Sequence, residues 1–376
     1  MARVLCVWIV LLAACKENPS KLSEAPAKAA PRDAADKPAL AVQLEEIRKQ
    51  LGVPALAAAA WRDGKLLEIA AVGVRKADDP ASTVTVDDEW HLGSNTKAMT
   101  ALLVGIYVDR GVLHWDDTLG TLFAGGKIDP GYANVTLDQL LRHEGGAPAE
   151  PPEALWKQLW DDNEKLDDTV ARAKFVKATL AMAPAQKAGE FVYSNTGYMI
   201  LGAALERATK QRWQDLMKTE LFAKLGMKSC GFGAPGNKAV VDQPRGHDAG
   251  GTPIEPGPAA DNPAGLGPAG TVHCSLRDYG AFLNVFATGE PAGLVSSATM
   301  QDLTSAPGGS MGYAGGWMVV PGKTGTALLH SGSNTMWYAT AVVTPKTHFA
   351  FAIVTNKAEQ NLEQHLQALL TRYTTM

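Results

Sequence analysis

The sequence has little of what defines several protein classes. Among its 376 residues, 20% are charged and 7% are aromatic, cysteine occurs four times, and 35 Lys and Arg face 39 Asp and Glu. A net charge of −4 offers no basic surface of the kind that nucleic-acid binding requires, so we expect no nucleic-acid partner. The hydrophobic content of 46% is ordinary and argues against a disordered or collagen-like chain. At about 150 residues per domain, the length predicts one large domain or two modest ones.

Long hydrophobic stretches are also scarce at the N-terminus. The run from Val4 to Ala14 has eleven residues, too few to cross a hydrocarbon core of about 30 Å, and it is typical of a signal peptide. It ends at Leu12-Ala13-Ala14-Cys15, which resembles the bacterial lipoprotein cleavage box. The resemblance implies that residues 1–14 are removed and that the thiol of Cys15 takes a lipid. An ordinary secretory signal that contains a cysteine is the alternative.

The segment after this cysteine lacks aromatic residues and any apolar periodicity as far as residue 38. Such a segment cannot bury enough surface to offset the entropy of ordering it. We therefore predict a lipid-anchored flexible tether over 15–38 and a folded domain over 39–375. Lys16 rather than Asp follows Cys15, which in enterobacterial-type sorting implies the outer membrane. We expect the protein in the bacterial cell envelope, held on the periplasmic side by its lipid.

The folded region begins with a helix and a hairpin. Leu40, Leu44 and Ile47 fall at helical spacing and predict an amphipathic first helix. Asp63-Gly64 then separates two apolar runs, which is the pattern of a tight β-hairpin. Residues 94 to about 225 have mostly helical patterns.

The C-terminal part returns to strands. Runs rich in β-branched and aromatic residues predict three strands and a closing helix, over Gly316–Val320, Thr335–Val343, Phe349–Thr355 and Glu359–Tyr373. Early and late strands around a helical middle predict an α+β fold with one antiparallel sheet, flanked by helices and built from both ends of the chain. This α/β sandwich lobe would comprise about residues 39–92 and 271–375, with an all-helical lobe of about residues 93–270 inserted.

The end of the helical lobe is rich in Pro and Gly over residues 233–270. Such a composition is typical of an ordered loop over a site or of a mobile lid. Cys230 and Cys274 flank this loop, and a disulfide between them would close its base in a compartment that permits disulfides. Two separate buried thiols are the alternative, because free cysteine often packs as a small core residue.

Ser94 and Lys97 stand three residues apart at the start of a predicted helix. Residues at this spacing share a helix face, so the Lys97 amine can lie against the Ser94 hydroxyl. The positive end of the helix dipole and partial burial both disfavour a protonated amine, which lets a neutral Lys97 act as a base toward Ser94. On this pattern alone, a Ser helix cap beside a solvated Lys is the alternative.

Two further segments supply polar groups. Tyr193 and Asn195 precede a predicted helix, and they offer a phenol that can share a proton transfer and an amide that can hold an amine. Near the C-terminus, His330-Ser331-Gly332-Ser333 leads into the predicted strand Thr335–Val343. Its glycine lets a substrate backbone approach, and the Ser333 N–H can donate to an oxyanion.

In this order and spacing, Ser94-x-x-Lys97, Tyr193-x-Asn195 and His330-x-Gly332 resemble the three motifs of the penicillin-recognising serine hydrolases. They are similar in particular to the class C β-lactamase-related family, which includes D-Ala-D-Ala peptidases and esterases. Leu140–Gly146 resembles the Leu-Leu-x-His-x-x-Gly element of that family. The similarity covers roughly residues 40–375 and implies a β-lactamase/transpeptidase-like fold.

The resemblance implies acyl transfer through a covalent Ser94 ester. Lys97 and Tyr193 would take the Ser94 proton and return it to the leaving group. The backbone N–H groups of Ser94 and Ser333 would hold the oxyanion. Asn195 would orient Lys97 or the acyl group.

The third motif bears on the substrate. His330 and Ser331 would line the pocket beside Gly332 and recognise a carboxylate or assist protonation. A histidine there departs from the lysine of true class C β-lactamases and resembles related D-Ala-D-Ala peptidases and some esterases. We therefore expect a small peptide or ester substrate, with a peptidoglycan stem peptide within reach of a tethered enzyme. A small-ester carboxylesterase, a β-lactamase and a non-catalytic penicillin-binding lipoprotein are the alternatives.

Rival matches occur for the second and third motifs, and one segment matches a different serine-hydrolase motif. Tyr132-Ala133-Asn134 also fits Tyr-x-Asn, but it precedes Leu140–Gly146, whereas the second motif of the family follows that element. Lys323-Thr324-Gly325 has the letters of the class C third motif, but it stands where a hairpin turn is expected. Gly308–Gly312 matches the Gly-x-Ser-x-Gly elbow, but Thr304–Pro307 before it is no apolar strand.

Cofactor signals are weak throughout. The eight histidines include no His-x-His or His-x-x-x-His pair, and no glycine-rich phosphate loop precedes a helix. We therefore predict neither a metal site nor a nucleotide cofactor. His91 and His143 are predicted to satisfy buried hydrogen bonds, and we expect a monomer.

Overall fold

The computed structural model describes residues 39–306, 312–322 and 325–373. The predicted signal peptide, the lipidation residue Cys15 and the tether to residue 38 lie outside the described residues, and they stay predictions. Lys323 and Thr324 of one rival motif, and Gly308 to Met311 of another, also lie outside them.

The strands of the described chain are β1 (Ala55–Arg62), β2 (Lys65–Lys76), β3 (Asp79–Thr83), β4 (Glu89–His91), β5 (Gly231–Phe232), β6 (Gly246–His247), β7 (Pro253–Ile254), β8 (Val272–Ser275), β9 (Gly312–Ala314), β10 (Trp317–Val320), β11 (Ala327–Ser333), β12 (Tyr338–Thr344) and β13 (Phe349–Thr355). Eight of them form a central antiparallel sheet in the order β3-β2-β1-β13-β12-β11-β10-β9, and β4, β8 and β5 form a separate sheet of three. Leu56 of β1 stands opposite Thr355 of β13. Both ends of the chain therefore meet in one sheet, which confirms the predicted fold class.

Most helices lie between the early and the late strands. The α-helices are Leu40–Leu51, Thr96–Asp109, Leu119–Leu122, Pro130–Ala133, Leu137–Leu141, Glu153–Asp162, Asp168–Leu180, Asn195–Thr209, Trp213–Leu216, Ala223–Leu225, Gly267–Gly270, Leu276–Thr288, Ser297–Thr304 and Leu366–Leu370. Short 3₁₀ helices cover Gly93–Asn95, Pro258–Ala260, Ala264–Leu266, Pro345–Thr347 and Gln360–His365, and a π-helix covers Met217–Phe222. None of the helices in the described ranges has the length and apolar character that crossing a bilayer demands.

The sheet separates two hydrophobic cores. Along β1, Ala57, Ala59 and Trp61 pack into the core shared with the helical lobe. Leu56 and Ala58 on the other face pack with the first helix and with Leu366 and Leu369 of the last one. Side chains alternate between the two faces of a strand, so one buried strand serves both layers. The Asp63-Gly64 hairpin and the first helix, at Leu40–Leu51, are confirmed.

The predicted strand from Thr335 begins three residues later, at Tyr338. Thr335 has a left-handed φ of 74°, its N–H donates to Ser333 Oγ at 2.9 Å, and the Met336 N–H donates to Asn334 Oδ1 at 3.2 Å. These local hydrogen bonds stabilise a turn in place of the strand. Residues 330–333 therefore belong to their own strand, β11, which pairs antiparallel with β12. The closing helix is also wrong as predicted, because a 3₁₀ segment, Gln360–His365, precedes the short α-helix Leu366–Leu370.

Cys230 and Cys274 are joined by a disulfide, beside β5 and within β8. The two bonded cysteines are 44 positions apart in the sequence. Within it, Arg245 is buried and donates to the carbonyl oxygens of Asn237 and Val240 and to Glu255. The segment between the cysteines is thus organised by an internal polar network as well as by the covalent bond.

Replacing both cysteines (Cys230→Ala with Cys274→Ala) should lower the free energy of unfolding by about 2–4 kcal/mol, because a long closed segment regains chain entropy when it unfolds. Urea denaturation measures the difference. The wild type in reductant should approach the double variant, and the variant should not respond to reductant. Equal unfolding free energies for the oxidised wild type and the variant would contradict the prediction.

Candidate active site

Ser94 lies in the 3₁₀ turn Gly93–Asn95, directly before the buried helix Thr96–Asp109. The backbone of strand β11 packs directly against the backbone of this turn. A Cβ atom on Gly332 would lie 2.2 Å from the Leu92 carbonyl oxygen and 2.5 Å from the Ser94 nitrogen, so only glycine fits there. The Ser94 side chain is partly exposed, so a substrate can reach its hydroxyl.

Lys97 is the buried centre of the site. Its Nζ lies 2.9 Å from Ser94 Oγ, 2.7 Å from Asn195 Oδ1 and 2.7 Å from the Ala269 carbonyl oxygen. Burial lowers the pKa of Lys97 well below its usual value, because the charged form loses its hydration. A neutral amine has two hydrogens and one lone pair, and the two carbonyl-type oxygens can only accept. The lone pair therefore faces Ser94 Oγ, which is the arrangement of a base beside its nucleophile.

The Tyr193 side chain forms a hydrogen bond with Ser94. Burial raises the pKa of Tyr193 above its usual value, and a hydrogen bond with Ser94 opposes that rise only in part. Lys97 Nζ lies 4.8 Å from the centre of the Tyr193 ring. The phenol therefore keeps its proton at neutral pH and can pass a proton on, whereas the neutral amine is the group ready to accept one.

A helix cap positions both residues of the second motif. Ser194 precedes helix Asn195–Thr209, and its hydroxyl accepts from the Gly197 N–H at 3.1 Å and donates to the Pro148 carbonyl at 2.6 Å. Ser194 has the extended backbone typical of a helix N-cap, and this conformation sets the directions in which its neighbours Tyr193 and Asn195 project. The structure thus brings Ser94, Lys97, Tyr193 and Asn195 together.

His330 is buried on β11, and its Nε2 lies 3.0 Å from the Tyr313 hydroxyl. Burial lowers the pKa of His330 to about 3. The ring is therefore neutral at physiological pH and can offer a hydrogen bond but no positive charge. This state does not favour the predicted attraction of a carboxylate.

Ser331 does not line the site as predicted. Its hydroxyl bonds to Glu363 of the C-terminal 3₁₀ helix and lies 3.1 Å from Thr340 Oγ1. The physical reason is strand alternation: with His330 and Gly332 facing Ser94, the residue between them must face the opposite layer. The backbone N of Ser333 does lie close, 2.4 Å from where a Cβ on Gly93 would be. The two N–H groups expected to form the oxyanion hole therefore belong to adjoining segments.

Sequence reasoning missed two contributors to the site. The Ala269 carbonyl holds Lys97, and the ring of Tyr313 lies 4.5 Å from that of His143. Ala269 falls within the Pro- and Gly-rich segment 233–270, which was expected to be a loop over a site or a lid, whereas nothing near Tyr313 carried such a signal. His143 was expected only to satisfy a hydrogen bond, yet its ring lies 4.3 Å from that of Tyr193.

The described residues Tyr132 and Gly325 of two rival motifs lie away from the site. The Tyr132 hydroxyl is buried 3.4 Å from the Gly146 carbonyl. Gly325 packs against Lys346 in the β12–β13 turn, at the end of β11 remote from Gly332. No cluster of three or more His, Cys, Asp or Glu side chains suited to a metal ion occurs in the described ranges.

Similarity to known proteins establishes the family of the chain. The "Beta-lactamase" family model matches residues 40–374, so the chain belongs to the beta-lactamase family of serine hydrolases. Penicillin-binding protein 4 of Amycolatopsis lactamdurans is 31% identical over 188 residues, which are 49% of this chain and 46% of the relative. The chain thus spans about half the length of that curated relative.

Solved structures with the same fold include two hydrolases. A beta-lactamase/D-alanine carboxypeptidase from Pseudomonas syringae superposes with a TM-score of 0.71 at 18% identity, over 88% of this chain and 97% of the other. A D-amino acid amidase from Ochrobactrum anthropi SV3, complexed with L-phenylalanine, superposes with a TM-score of 0.70 at 18% identity, over 89% and 97%. At these identities the likeness establishes the fold alone.

The rate at which a fluorophosphonate labels Ser94 should be lost on the acid side of its pH profile and be flat toward alkaline pH. The reason is that the neutral form of Lys97 is the base, and its pKa lies well below the usual 10.5. Labelling rates between pH 4 and pH 10 measure this. A rate that keeps rising to about pH 10 would mean that the base titrates like an ordinary lysine.

Asn195→Asp should move that acid limb to higher pH by about 1–3 units, because a carboxylate next to Lys97 stabilises the ammonium form. Asn195→Ala is the matched control, since it removes the same acceptor without adding charge, and its limb should not move upward. The two pH profiles decide the matter. An Asp variant with an unshifted limb would show that Lys97 is not the titrating base.

Proposed function

We propose that the chain is a serine acyl hydrolase that works through a covalent Ser94 ester. The contacts of Lys97 carry the proposal, because both of its N–H groups are held by oxygens that can only accept, which leaves its lone pair for the Ser94 proton. In acylation, Ser94 Oγ bonds to the substrate carbonyl carbon and its proton passes to Lys97. The bond to the leaving group then breaks, and the leaving group takes that proton through Tyr193.

Deacylation reverses these roles. Water gives a proton to the Lys97–Tyr193 pair, its oxygen bonds to the acyl carbon, and the ester bond to Ser94 breaks as Ser94 regains its proton. The N–H groups of Ser94 and Ser333 would stabilise the oxyanion in both steps, and removal of one such donor costs about 10²–10³ in rate in known hydrolases.

The proposed substrates are D-alanyl peptides and related amides or esters. Support comes from the names of relatives that share the fold, a D-alanine carboxypeptidase and a D-amino acid amidase. With a lipid on Cys15, which we also propose, the enzyme would face the periplasm with stem peptides of peptidoglycan within reach.

A second candidate is an amidase or esterase whose substrate has no carboxylate at the leaving group. The observation that favours it is the burial of His330, which lowers the pKa of its ring to about 3 and keeps the ring neutral. A carboxylate placed against a neutral ring would lose hydration without gaining a positive charge from that ring.

The sharpest test compares one peptide in two forms, diacetyl-L-Lys-D-Ala-D-Ala with a free C-terminal carboxylate and the same peptide as its C-terminal amide. The second candidate predicts a kcat/KM about 10-fold or more higher for the amide form, because the carboxylate form would lack the equivalent of one charge-assisted hydrogen bond. Release of the C-terminal residue is followed by chromatography.

The Ser94→Ala variant is the control and should be inactive on both forms. Preference for the free carboxylate would favour the carboxypeptidase and overturn the second candidate. If neither the peptides nor p-nitrophenyl acetate is hydrolysed and fluorophosphonate does not label Ser94, the chain is not a serine hydrolase.

A further inference from the structure

The element Leu140–Gly146 bends around His143 directly behind the site. His143 is buried and adopts a left-handed φ of 61°, a conformation that costs free energy for a residue with a Cβ atom. Such a strained and buried residue persists where its surroundings hold it firmly. The role assigned to it from sequence, a satisfied buried hydrogen bond, accounts for only one of its two ring nitrogens.

Three hydrogen bonds join this bend to the segment that carries Tyr193. The Gly189 N–H donates to the Glu144 carbonyl at 2.8 Å, the Val192 N–H donates to the His143 carbonyl at 2.9 Å, and the Ser194 N–H donates to His143 Nδ1 at 3.1 Å. Val192 and Ser194 are the two neighbours of Tyr193. The backbone on either side of the phenol is therefore held by one residue, His143.

The ring of His143 also packs against the phenol itself. Its centre lies 4.3 Å from that of Tyr193 and 4.5 Å from that of Tyr313. Because Nδ1 accepts a hydrogen bond, the proton of the neutral ring is on Nε2. Burial lowers the pKa of His143 well below its usual value. The ring therefore remains neutral and keeps Nδ1 available as an acceptor.

We propose that His143 is a positioning residue for Tyr193, acting through the hydrogen bond from the Ser194 N–H to Nδ1 and through its carbonyl bond to Val192. The inference rests on the proposed function, since it concerns the group that passes the Ser94 proton. Without the Nδ1 acceptor, the segment 192–194 relaxes and the phenol leaves the position from which it contacts Ser94. A shift of about 1 Å at such a group can cost about 100-fold in rate.

Two variants separate the acceptor from the ring. His143→Asn retains an acceptor at the position of Nδ1 and tolerates a left-handed φ, so it should label with fluorophosphonate at a rate within about threefold of the wild type. His143→Phe keeps a ring but has no acceptor, and its labelling rate should fall about 10- to 100-fold. With p-nitrophenyl acetate, the loss should appear in kcat rather than in KM.

A double-mutant cycle with Tyr193→Phe distinguishes positioning from general stability. If His143 acts through the phenol, His143→Phe should change the labelling rate by less than about twofold once Tyr193 is already Phe. Tyr132→Phe is the control, because it removes a buried hydroxyl 3.4 Å from the Gly146 carbonyl of the same element without touching Tyr193. Its labelling rate should match that of the wild type.

The outcomes are distinct. If His143→Phe lowers the rate by the same factor with and without the Tyr193 hydroxyl, or if His143→Asn is as slow as His143→Phe, the proposal is overturned. Should His143→Phe not fold, His143→Ala also lacks the acceptor without adding volume, and the same results are required of it. A wild type that is not labelled at all overturns the proposed function, whereas a labelled wild type with an additive cycle overturns only this inference.

Discussion

The burial of one amine governs the arrangement around it. An ammonium ion taken out of water without a counter-ion is so costly that Lys97 is held in its neutral form. A neutral amine then requires two acceptors, and they come from distant parts of the chain, Asn195 and the carbonyl of Ala269. Three helices, Thr96–Asp109, Asn195–Thr209 and Gly267–Gly270, must therefore meet at this point. Removal of any one of them would leave a buried polar group without its partner.

The sheet contributes the backbone of strand β11 to the same site. Because Gly332 has no side chain, β11 lies against the Ser94 turn at a distance that no other residue would permit. The neighbouring strand positions divide between the two layers of the molecule, so His330 faces the catalytic residues while the Ser331 hydroxyl meets Glu363 in the terminal layer. The alternation that builds two hydrophobic cores on β1 thus also sorts the polar residues of the third motif.

Local patterns predicted the first helix and the Asp63-Gly64 hairpin, because each depends on a few neighbouring residues. The three motifs likewise predicted which side chains meet at the site, because each motif is a short local pattern. The turn at Thr335 was missed since side-chain oxygens of Ser333 and Asn334 hold it against the strand preference of the run. The outward direction of Ser331 was available from strand alternation, once His330 was taken to face inward. The Ala269 carbonyl and the ring contacts of His143 depend on how remote segments pack, and no local pattern encodes them.

The pairing of β1 with β13 has a consequence for the nascent chain. Leu56 pairs with Thr355, 299 positions later, so β1 gains β13 as its second neighbouring strand only after that part of the chain has been made. At about 5–20 residues per second, synthesis of the intervening chain takes roughly 15 to 60 s. During that interval the N-terminal hairpin presents an unpaired, strongly apolar strand edge, the kind of surface that recruits other strands. The first hairpin is therefore the part of the sheet whose completion depends on the most distant segment of the described chain.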